Sequence, residues 1–558
     1  MQKIYLLFLL PIVLIINTKC MYAQPGWLDT SFGGGDGKVT LDINNDNDEA
    51  KDIAIQPNGK IVVLGTSYIN FTTHFTLARF NVDGSIDNTF SDDGYVNIQF
   101  DGNTYNSARS VKLQSDGKIL VAGSSYNGSY YQLAIARLHP DGSFDDTFGN
   151  AGQFVFEVPT NFYCYDMTLD GDERIIVVGM SGLIGMGNQM TVMRVLSNGT
   201  VDTSFGSAGA NIAVIGGSSS ADAVIVQTDG KIVLAGRTYG EFYSDIAVAR
   251  FLDNGELDTS FDSDGKRTFS IAEYDDYITS MLQLPNGKLL LGGVSNTDFA
   301  LVQLNTNGSN NNSFSGDGIV AVDMNESFDE VHDIALDSDG NIIAAGFIGY
   351  NMYDKAALRF FPNGTLDPLF HLDGKTNIDF SGTYDYCFAM AIQQDGKILI
   401  AGSTVNDGNT DLAIARIQSV CPVLSSSQNV SIEEGESFTV GTSTYTTSGV
   451  YQDVLTAYSG CDSTVTTTLT ITVGIDDLGS SENQLNVWPI PFNQEIKVEG
   501  TAFGDIIQFT DLSGRILLQV PAQSERTAIP TQYLPAGMYI LSLSNAHTIK
   551  TARILKVE

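Results

Sequence analysis

An arginine and an aspartate recur along the chain at a spacing that could place an ion pair, or acid–base chemistry, in every copy of a repeat. The arginines are Arg79, Arg137, Arg194, Arg250, Arg359 and Arg416, and Gln303 takes the place in the remaining copy. The aspartates are Asp29, Asp87, Asp145, Asp202, Asp258 and Asp367. A catalytic pair would differ from its counterparts, so recurrence in nearly every copy favours a scaffold role. We expect the aspartate to cap its own turn and the arginine to bind that carboxylate or carbonyls between repeats.

No known catalytic or metal-binding motif is present. The five histidines do not fall in an H-E-x-x-H or a zinc-type Cys/His spacing, and the chain has neither a nucleophile elbow nor a phosphate-binding glycine loop. We therefore assign no catalytic residue and expect no cofactor. Calcium is the alternative, because Asp42–Glu49 reads D-I-N-N-D-N-D-E, although it lacks the glycine of a helix-loop calcium motif. The net charge of −36 repels phosphates, so we expect no nucleic-acid partner.

The recurring residues belong to a repeat with a period of 53 to 58 residues. Its basic turn position is occupied by Lys60, Lys118, Arg174, Lys231, Lys288, Asn341 and Lys397. A second marker, the phenylalanine of L-D-x-x-F, gives Phe32, Phe90, Phe148, Phe205, Phe261, Phe314 and Phe370. These markers and the arginine position keep step, which establishes seven copies.

Each copy contains four strand signals separated by turn residues. In the first copy they are Val39–Ile43, Asp52–Gln56, Ile61–Leu64 and Phe75–Phe80. Asn-Gly and Asp-Gly favour tight hairpins because both residues accept positive φ. Short strands at regular spacing indicate an all-β fold, and four strands per copy in seven copies predict a seven-bladed β-propeller.

The burial pattern predicts how the ring closes. The I-V-V-L type strand is apolar on both faces, so it belongs inside a blade, whereas Val39–Ile43 alternates with polar residues as an outer strand does. The last copy ends on Asp411–Ile417, a third strand without an outer partner. We therefore predict that Val39–Ile43 pairs with Asp411–Ile417, so that the N-terminal strand closes the propeller and removes two exposed edges.

The repeat resembles the delta-60 repeat family of bacterial secreted proteins. The resemblance is carried by L-D-T-S-F-G, Q-x-D-G-K-I-x-V-A-G and L-A-I-A-R and covers Leu28 to Ile417. It implies a repeat architecture and no particular activity. We place the propeller at residues 24–418 and expect two small β domains after it.

The N-terminus has the pattern of a signal peptide. Lys3 precedes an apolar run from Ile4 to Ile16, and M-Y-A precedes Gln24, which predicts a leader of residues 1–23 cut between Ala23 and Gln24. The apolar run is too short to span a bilayer comfortably, so we expect no transmembrane segment in the mature chain.

The cysteines fall into two groups. Cys164 and Cys387 occupy a repeat position that is otherwise small or apolar, so we expect buried free thiols. Cys421 and Cys461 bracket a Ser/Thr-rich module at 419–474, for which we predict a disulfide. This module resembles small β modules of Bacteroidetes surface proteins through Y-x-D-V-L and G-C-D-S-T-V.

After a polar linker at 475–485, the last 73 residues, 486–558, contain V-W-P-I-P-F, D-L-S-G-R-I-L-L, L-P-A-G-M-Y-I-L and T-A-R-I-L-K. These runs resemble the C-terminal sorting domain of the type IX secretion system of Bacteroidetes, with Trp488-Pro489-Ile490-Pro491 in place of Y-P-N-P. The resemblance implies the type IX machinery as a partner. It also implies secretion, or attachment to the outer-membrane surface of a Gram-negative bacterium.

Alternate loops of an antiparallel meander fall on opposite faces of the ring. The D-G-K turns repeat closely on one face, while the loops of the other face vary and are rich in tyrosine, so we expect ligands there. The predicted binding residues are Tyr68, Tyr105, Tyr126, Tyr239, Tyr274, Tyr277, Tyr350 and Tyr384. The leading hypothesis is a non-enzymatic binding or adhesion scaffold for an extracellular glycan or protein. The alternative is an extracellular polysaccharide hydrolase or lyase that uses carboxylates in the propeller mouth.

Overall fold

The computed structural model describes residues 25–100, 102–157, 160–182, 187–324, 328–349, 352–380, 384–406, 408–419, 424–433, 435–456, 462–472, 485–545 and 549–557. All regular secondary structure in these residues is β-strand. Contacts divide the chain into two compact units: residues 25–420 form one, and residues 421–558 belong to the other. The predictions for Ala23, Gln24, Tyr350, Cys421 and Cys461 lie outside the described residues.

The described part of residues 25–420 forms seven four-stranded sheets, here called blades 1 to 7. Strand β1 (Lys38–Leu41) belongs to blade 7. Blades 1 and 2 contain β2 (Asp48–Ile55), β3 (Ile61–Ile69), β4 (Thr72–Phe80), β5 (Tyr95–Ile98), β6 (Tyr105–Leu113), β7 (Ile119–Tyr126), β8 (Tyr131–Leu138) and β9 (Gln153–Phe156). Blades 3 and 4 contain β10 (Phe162–Leu169), β11 (Ile175–Gly182), β12 (Asn188–Val195), β13 (Ala210–Ala213), β14 (Ser219–Val226), β15 (Ile232–Tyr239), β16 (Ser244–Phe251) and β17 (Lys266–Phe269).

Blades 5 to 7 complete the ring. They contain β18 (Asp276–Gln283), β19 (Leu289–Ser295), β20 (Asp298–Leu304), β21 (Ile319–Val322), β22 (Phe328–Leu336), β23 (Ile342–Gly349), β24 (Tyr353–Phe360), β25 (Lys375–Ile378), β26 (Asp385–Ile392), β27 (Ile398–Asn406) and β28 (Asn409–Ile417). The first strand of each blade packs against the first strand of the next, and β26 packs against β2. Seven blades therefore close around a central axis, which confirms the predicted propeller.

The N-terminal strand completes blade 7 as predicted. Strand β1 pairs antiparallel with β28, with Val39 opposite Ile414 and Leu41 opposite Leu412. A further bridge joins Leu28 to Ile417. The first strand of the propeller, β1, is therefore the outer strand of the blade that contains the last repeat. Because β1 and β28 pair, the edges that they turn toward each other are not left unpaired.

The hydrophobic cores lie between neighbouring blades. In strand β7, Ile119 and Val121 belong to the core shared with blade 1, while Leu120 and Ala122 belong to the core shared with blade 3. Successive side chains of a strand point to opposite faces, so a strand covered on both faces has to be apolar throughout. Full burial of one such side chain contributes about 1.5–3 kcal/mol, and this explains why the second strand of every repeat is a continuous apolar run.

The recurring arginine binds the aspartate of its own repeat and a backbone carbonyl of the neighbouring blade, in line with the prediction from the sequence. In blade 1, Arg79 Nε donates to Asp87 Oδ2 at 2.6 Å, and Nη1 donates to the carbonyl of Pro140 in the turn of blade 2. Asp87 Oδ1 accepts hydrogen bonds from the backbone N–H and the hydroxyl of Thr89, which is the expected turn-capping interaction. The guanidinium also lies over the Phe90 ring. The same arrangement recurs in blades 2, 3, 4, 6 and 7.

Two further predictions concern thiols and membrane spans. Cys164 and Cys387 are buried and free, as expected. Among the described residues, no helix is long and apolar enough to cross a membrane.

The second unit contains small sheets with their own core. Its strands are β29 (Leu424–Glu433), β30 (Phe438–Val440), β31 (Ser443–Tyr445), β32 (Gly449–Thr456), β33 (Asp462–Thr472), β34 (Asn486–Trp488), β35 (Glu495–Glu499), β36 (Ile506–Thr510), β37 (Ile516–Pro521), β38 (Arg526–Pro530), β39 (Gly537–Ser544) and β40 (Ile549–Lys556). Strands β29 and β33 run parallel. Strands β34 to β40 form two sheets that enclose one apolar core.

Candidate functional site

The first strand of every blade contains a β-bulge at the same position. In strand β2 the pairing with β3 shifts between Ala50 and Asp52, which leaves Lys51 as the bulged residue. The partner strand carries a glycine, Gly65, on which a Cβ atom would lie 2.5 Å from the carbonyl oxygen of Glu49. The same close approach occurs at Gly123, Gly179, Gly236, Gly293, Gly346 and Gly402. The glycine that follows the apolar run inside each second strand is therefore required because the bulged backbone comes so near.

The seven bulges place seven different side chains around the axis. We call this set the bulge ring: Lys51, Arg109, Tyr165, Asp222, Thr279, His332 and Phe388. A structural position repeated seven times would be expected to keep one residue type. Here the backbone repeats and the side chain does not, so these side chains have no common scaffold role.

Neighbouring members of the bulge ring contact one another. Lys51 Nζ lies 4.2 Å from the centre of the Phe388 ring, and the His332 and Phe388 rings are 5.1 Å apart. On the other side, Arg109 lies 5.4 Å from the centre of the Tyr165 ring. Burial, and next the charge of Asp222, raises the pKa of Tyr165 to about 12. Five of the seven ring side chains therefore contact a neighbour in the ring.

A second group of polar residues lies beside the bulge ring in blades 4 to 6. Arg237 packs 3.7 Å above the centre of the Tyr277 ring, and the Tyr277 hydroxyl donates to Glu330 Oε1 at 2.8 Å. Nε2 of His332 lies 3.5 Å from the same carboxylate oxygen. Burial alone would raise the pKa of Glu330, but His332 and Tyr277 together hold it below its ordinary value. A cation, a phenol, a carboxylate and an imidazole thus meet at one side of the axis.

Toward the D-G-K face, the next position along the first strands carries a carboxylate in three blades: Asp52, Asp166 and Asp333. Asp52 Oδ2 accepts the N–H of Val111 at 2.7 Å and Lys112 Nζ at 3.2 Å. Asp333 Oδ2 likewise accepts the N–H of Met390 at 2.9 Å, so these side chains join adjacent first strands. Burial would lower the pKa of Lys112, but the surrounding carboxylates raise it. This layer lies on the D-G-K side of the bulge ring, so the side chains of the bulge ring and the loops of the variable face form the mouth of the axis.

Most of the predicted tyrosines lie on the variable face. Tyr68 is half-buried near the end of β3, and Tyr239 is 43% exposed at the end of β15. Tyr105 and Tyr126 meet edge to face with their centroids 6.3 Å apart. Tyr274 is 50% exposed. These side chains are spread over blades 1, 2, 4 and 5, so they do not form one patch.

Two predicted tyrosines lie nearer the axis. Tyr277 does not sit in a loop, because β18 begins at Asp276, and its side chain is only 7% exposed. Tyr384 directly precedes β26 and begins an aromatic ladder down that strand: Tyr384 and Tyr386 stack at 6.4 Å, and Tyr386 and Phe388 stack at 5.8 Å. The ladder leads from the variable face into the bulge ring.

The sequence did not identify Lys51, Arg109, Asp222, His332 or Phe388 as candidate site residues. The signal that could have found them is the glycine after the apolar run of each second strand, because a glycine inside a strand marks a bulge or a close backbone approach. The residue after the small packing position, occupied by Ala50 in the first repeat, is the bulged one.

The mouth of the axis combines flat aromatic faces with cations. Such a surface suits a ligand that has apolar C–H faces and negatively charged or hydroxyl groups. Arg109 is exposed and makes no ion pair with another described residue, so its charge is available to a ligand.

Two family models match the chain. The model described as "Domain of unknown function (DUF5122) beta-propeller" matches residues 56–90, 114–148, 171–205, 227–261, 284–314, 338–370 and 393–420. The model described as "Secretion system C-terminal sorting domain" matches residues 486–557. These matches confirm the repeat family and the sorting domain inferred from the sequence. The comparison with curated proteins found no match.

Several solved structures are similar at low identity. Virginiamycin B lyase from Staphylococcus aureus is 12% identical, and the match covers 68% of this chain and 98% of that one with a TM-score of 0.41. PorZ, a surface component of the type IX secretion system of Porphyromonas gingivalis, is 11% identical, with coverage of 89% and 68% and a TM-score of 0.30. A protein of unknown function from Dyadobacter fermentans is 12% identical, with coverage of 68% and 97% and a TM-score of 0.38.

Proposed function

Because the chain contains seven DUF5122 β-propeller repeats and a type IX secretion C-terminal sorting domain, we propose that it is a non-enzymatic binding protein that holds an extracellular glycan at the mouth of its axis. The sorting domain indicates secretion or attachment to the outer-membrane surface and engagement with the type IX machinery. Binding at the mouth is the part that requires a test.

The observation that carries the proposal is a set of cations and aromatic rings on and beside the bulge ring of a strongly acidic protein. The net charge is −36, yet Lys51, Arg109 and Arg237 lie there, together with the ladder of Tyr384, Tyr386 and Phe388. Lys51 pairs with Glu49 at 2.6 Å and Arg237 with Asp222 at 3.5 Å, which leaves Arg109 as the cation without an ion pair to another described residue. Aromatic faces stack on the apolar faces of sugar rings, and guanidinium groups bind carboxylate or sulfate groups in a bidentate manner. A glycan with acidic substituents fits this combination best.

A glycan array probed with the full-length protein tests the proposal, followed by calorimetric titration of any positive glycan. We expect acidic glycans to bind and Arg109→Ala to weaken that binding by about tenfold or more, the loss of one charged hydrogen bond. Lys288→Ala is the matched control, since it also removes one positive charge but from the D-G-K turns of the opposite face. Absence of binding to any glycan, or equal loss in both variants, contradicts the proposal. Binding to proteins but to no glycan would mean that the ligand of this protein is a protein instead of a glycan.

A polysaccharide lyase or hydrolase is the second candidate, supported by the meeting of Arg237, Tyr277, Glu330 and His332. A lyase needs a cation beside the sugar carboxylate and a base for the adjacent proton, and a guanidinium and an imidazole are both present. Incubation with acidic polysaccharides, followed by absorbance of unsaturated products and by reducing-end assay, tests this activity. Product formed by the wild type and lost in His332→Ala supports an enzyme, whereas binding without product supports the scaffold.

A further inference from the structure

Three blades carry two aspartates directly opposite each other on neighbouring strands. In blade 6, the pairing of Lys355 with Ile378 places Asp354 opposite Asp379. In blade 5, the pairing of Phe299 with Val322 places Asp298 opposite Asp323. Blade 7 repeats the arrangement with Asp411 and Asp42. Like charges directly opposite across a strand pair destabilise the sheet unless something compensates them.

A third aspartate from the next blade joins the pair in blade 6. Oxygen atoms of Asp354, Asp379 and Asp385 lie within 4.8 Å of one another. Asp385 opens strand β26 and is fully buried. Its Oδ2 accepts the backbone N–H of Phe380 at 2.7 Å, while its buried Oδ1 has no hydrogen-bond partner among the described residues. A buried carboxylate oxygen left without a donor loses the full free energy of its hydration, so this oxygen requires a partner other than the described residues.

Between blades 3 and 4, the equivalent strand positions hold uncharged residues whose polar atoms form hydrogen bonds with one another. There the three strand positions are held by Gln189, Val214 and Ser219. Oε1 of Gln189 accepts the N–H of Ile215 at 2.9 Å and the hydroxyl of Ser219 at 3.0 Å. The backbone therefore does not require acids at these positions, and the acidic set between blades 6 and 7 needs a separate explanation.

The lysines near the acidic set are bound elsewhere. Lys355 Nζ donates to the carbonyls of Tyr386 and Ser403 at 2.5 and 2.6 Å. Lys38 Nζ donates to the backbone carbonyl of Asp379. The charges of Asp379 and Asp385 act against the charged form of Asp354, while a hydrogen bond from Asn377 and then the charge of Lys38 favour it. The carboxylates of Asp379 and Asp385 thus repel that of Asp354.

We propose that Asp354, Asp379 and Asp385 bind a calcium ion between blades 6 and 7. Calcium takes six to eight oxygen ligands at about 2.3–2.6 Å, so oxygens on opposite sides of the ion lie about 5 Å apart, which accommodates the observed spread of the three carboxylates. The set contains only hard oxygen donors and neither histidine nor cysteine, which disfavours zinc. The ion joins two strands of blade 6 to the first strand of blade 7. Asp298, Asp323 and Asp329 repeat the same strand positions one blade earlier.

Equilibrium dialysis of the full-length protein against calcium, together with thermal unfolding in calcium, magnesium or EDTA, tests the proposal. We expect calcium to bind with a dissociation constant on the order of 10⁻⁴–10⁻³ M, as in extracellular modules, and to raise the Tm more than equal magnesium does. Asp354→Asn should fold, because its side chain is only partly buried, and should lose one bound ion and most of the calcium-dependent rise in Tm.

Glu157→Gln is the matched control, because Glu157 occupies in blade 2 the strand position of Asp379 and the change removes the same charge. It should retain wild-type calcium binding. Asp385→Asn gives an independent readout: in EDTA it should be at least as stable as the wild type, since repulsion is relieved. No calcium bound at millimolar concentration, an equal effect of magnesium, or equal loss in Glu157→Gln would overturn the proposal.

Discussion

Arg416 and Asp29 lie 387 residues apart in the sequence and form a buried ion pair, with Nε donating to Oδ2 at 2.7 Å. The side chains are 3% and 5% exposed. Burial alone would raise the pKa of Asp29, but hydrogen bonds from Ser31 and the charge of Arg416 hold it below its ordinary value. The pair sits where the N-terminal segment meets the last repeat, so the ion pair that lies within one repeat elsewhere joins the two ends of the propeller here.

Removal of Arg416 should therefore destabilise the closed ring. We expect Arg416→Ala to lower the free energy of unfolding by up to about 3–5 kcal/mol, because it leaves the buried Asp29 carboxylate with only Lys397, 3.3 Å away, as a cationic partner. Unfolding in guanidinium chloride, followed by tyrosine fluorescence, measures the change. A loss below about 1 kcal/mol would show that the pair contributes no more than a surface ion pair.

Blade 5 supplies the control for that experiment. Its equivalent positions hold Gln303 and Asn311, and Asn311 Nδ2 donates to Gln303 Oε1. A neutral pair therefore fits the same backbone. The double variant Arg416→Gln/Asp29→Asn should recover much of the stability lost in Arg416→Ala, because neither partner remains as an unpaired charge. If the double variant is as unstable as the single one, the loss of stability comes from the missing contacts of Arg416 with Phe32 and Val82 instead.

The sequence predicted the ring because the features that build it repeat. Three markers kept a common period, and the alternating polar residues of the first strand showed which element was the outer one. The pairing of Val39 with Ile414 follows from that pattern. The start of the inner strands was harder to predict. Strand β2 begins at Asp48, earlier than the apolar pattern suggests, because its polar residues face the axis, where polar side chains are tolerated.

The candidate site was harder to predict for a related reason. A search for repeats finds positions where all copies agree, whereas the bulge ring differs in every copy. Tyr277 shows the same difficulty in another form: the sequence predicts it among the tyrosines of the variable loops, yet it lies in β18 and its hydroxyl donates to Glu330. Side-chain direction at a bulge depends on the local backbone, which residue types alone do not specify.

The glycine opposite each bulge can be tested directly. A Cβ atom at residue 179 would collide with the carbonyl oxygen of Tyr163, so Gly179→Ala should destabilise the protein by about 1–3 kcal/mol or more. Gly171→Ala in the same blade is the control, since nothing lies within 4 Å of its added Cβ. Urea unfolding of both variants measures the difference, and equal stability would show that the bulge relaxes at little cost.

The buried thiols should be unreactive in the folded protein. Burial raises the pKa of Cys387 to about 12 and raises that of Cys164 as well. Because the thiolate is the reactive form, alkylation at these residues near pH 8 should be about a thousandfold slower than in the unfolded chain. Iodoacetamide labelling with peptide mapping by mass spectrometry, in buffer and in denaturant, measures both rates. Rapid labelling of the native protein would contradict the burial of these side chains.

Asp333 should make stability depend on pH. Burial, and next the charge of Asp52, raises its pKa from 3.8 to about 6, while Met390 N–H and Ser280 oppose this effect. The folded state therefore holds a proton that the unfolded chain releases, and this favours the folded state fully below pH 3.8. The contribution decreases as the pH rises through about 6, by up to roughly 3 kcal/mol. Asp333→Asn cannot ionise, so it should gain stability relative to the wild type between pH 4 and pH 7. Urea unfolding at several pH values, with EDTA present, measures this gain, and Asp92→Asn on an exposed turn should show none. A difference between the wild type and Asp333→Asn that stays constant across this range would mean that Asp333 is ionised throughout in the folded protein.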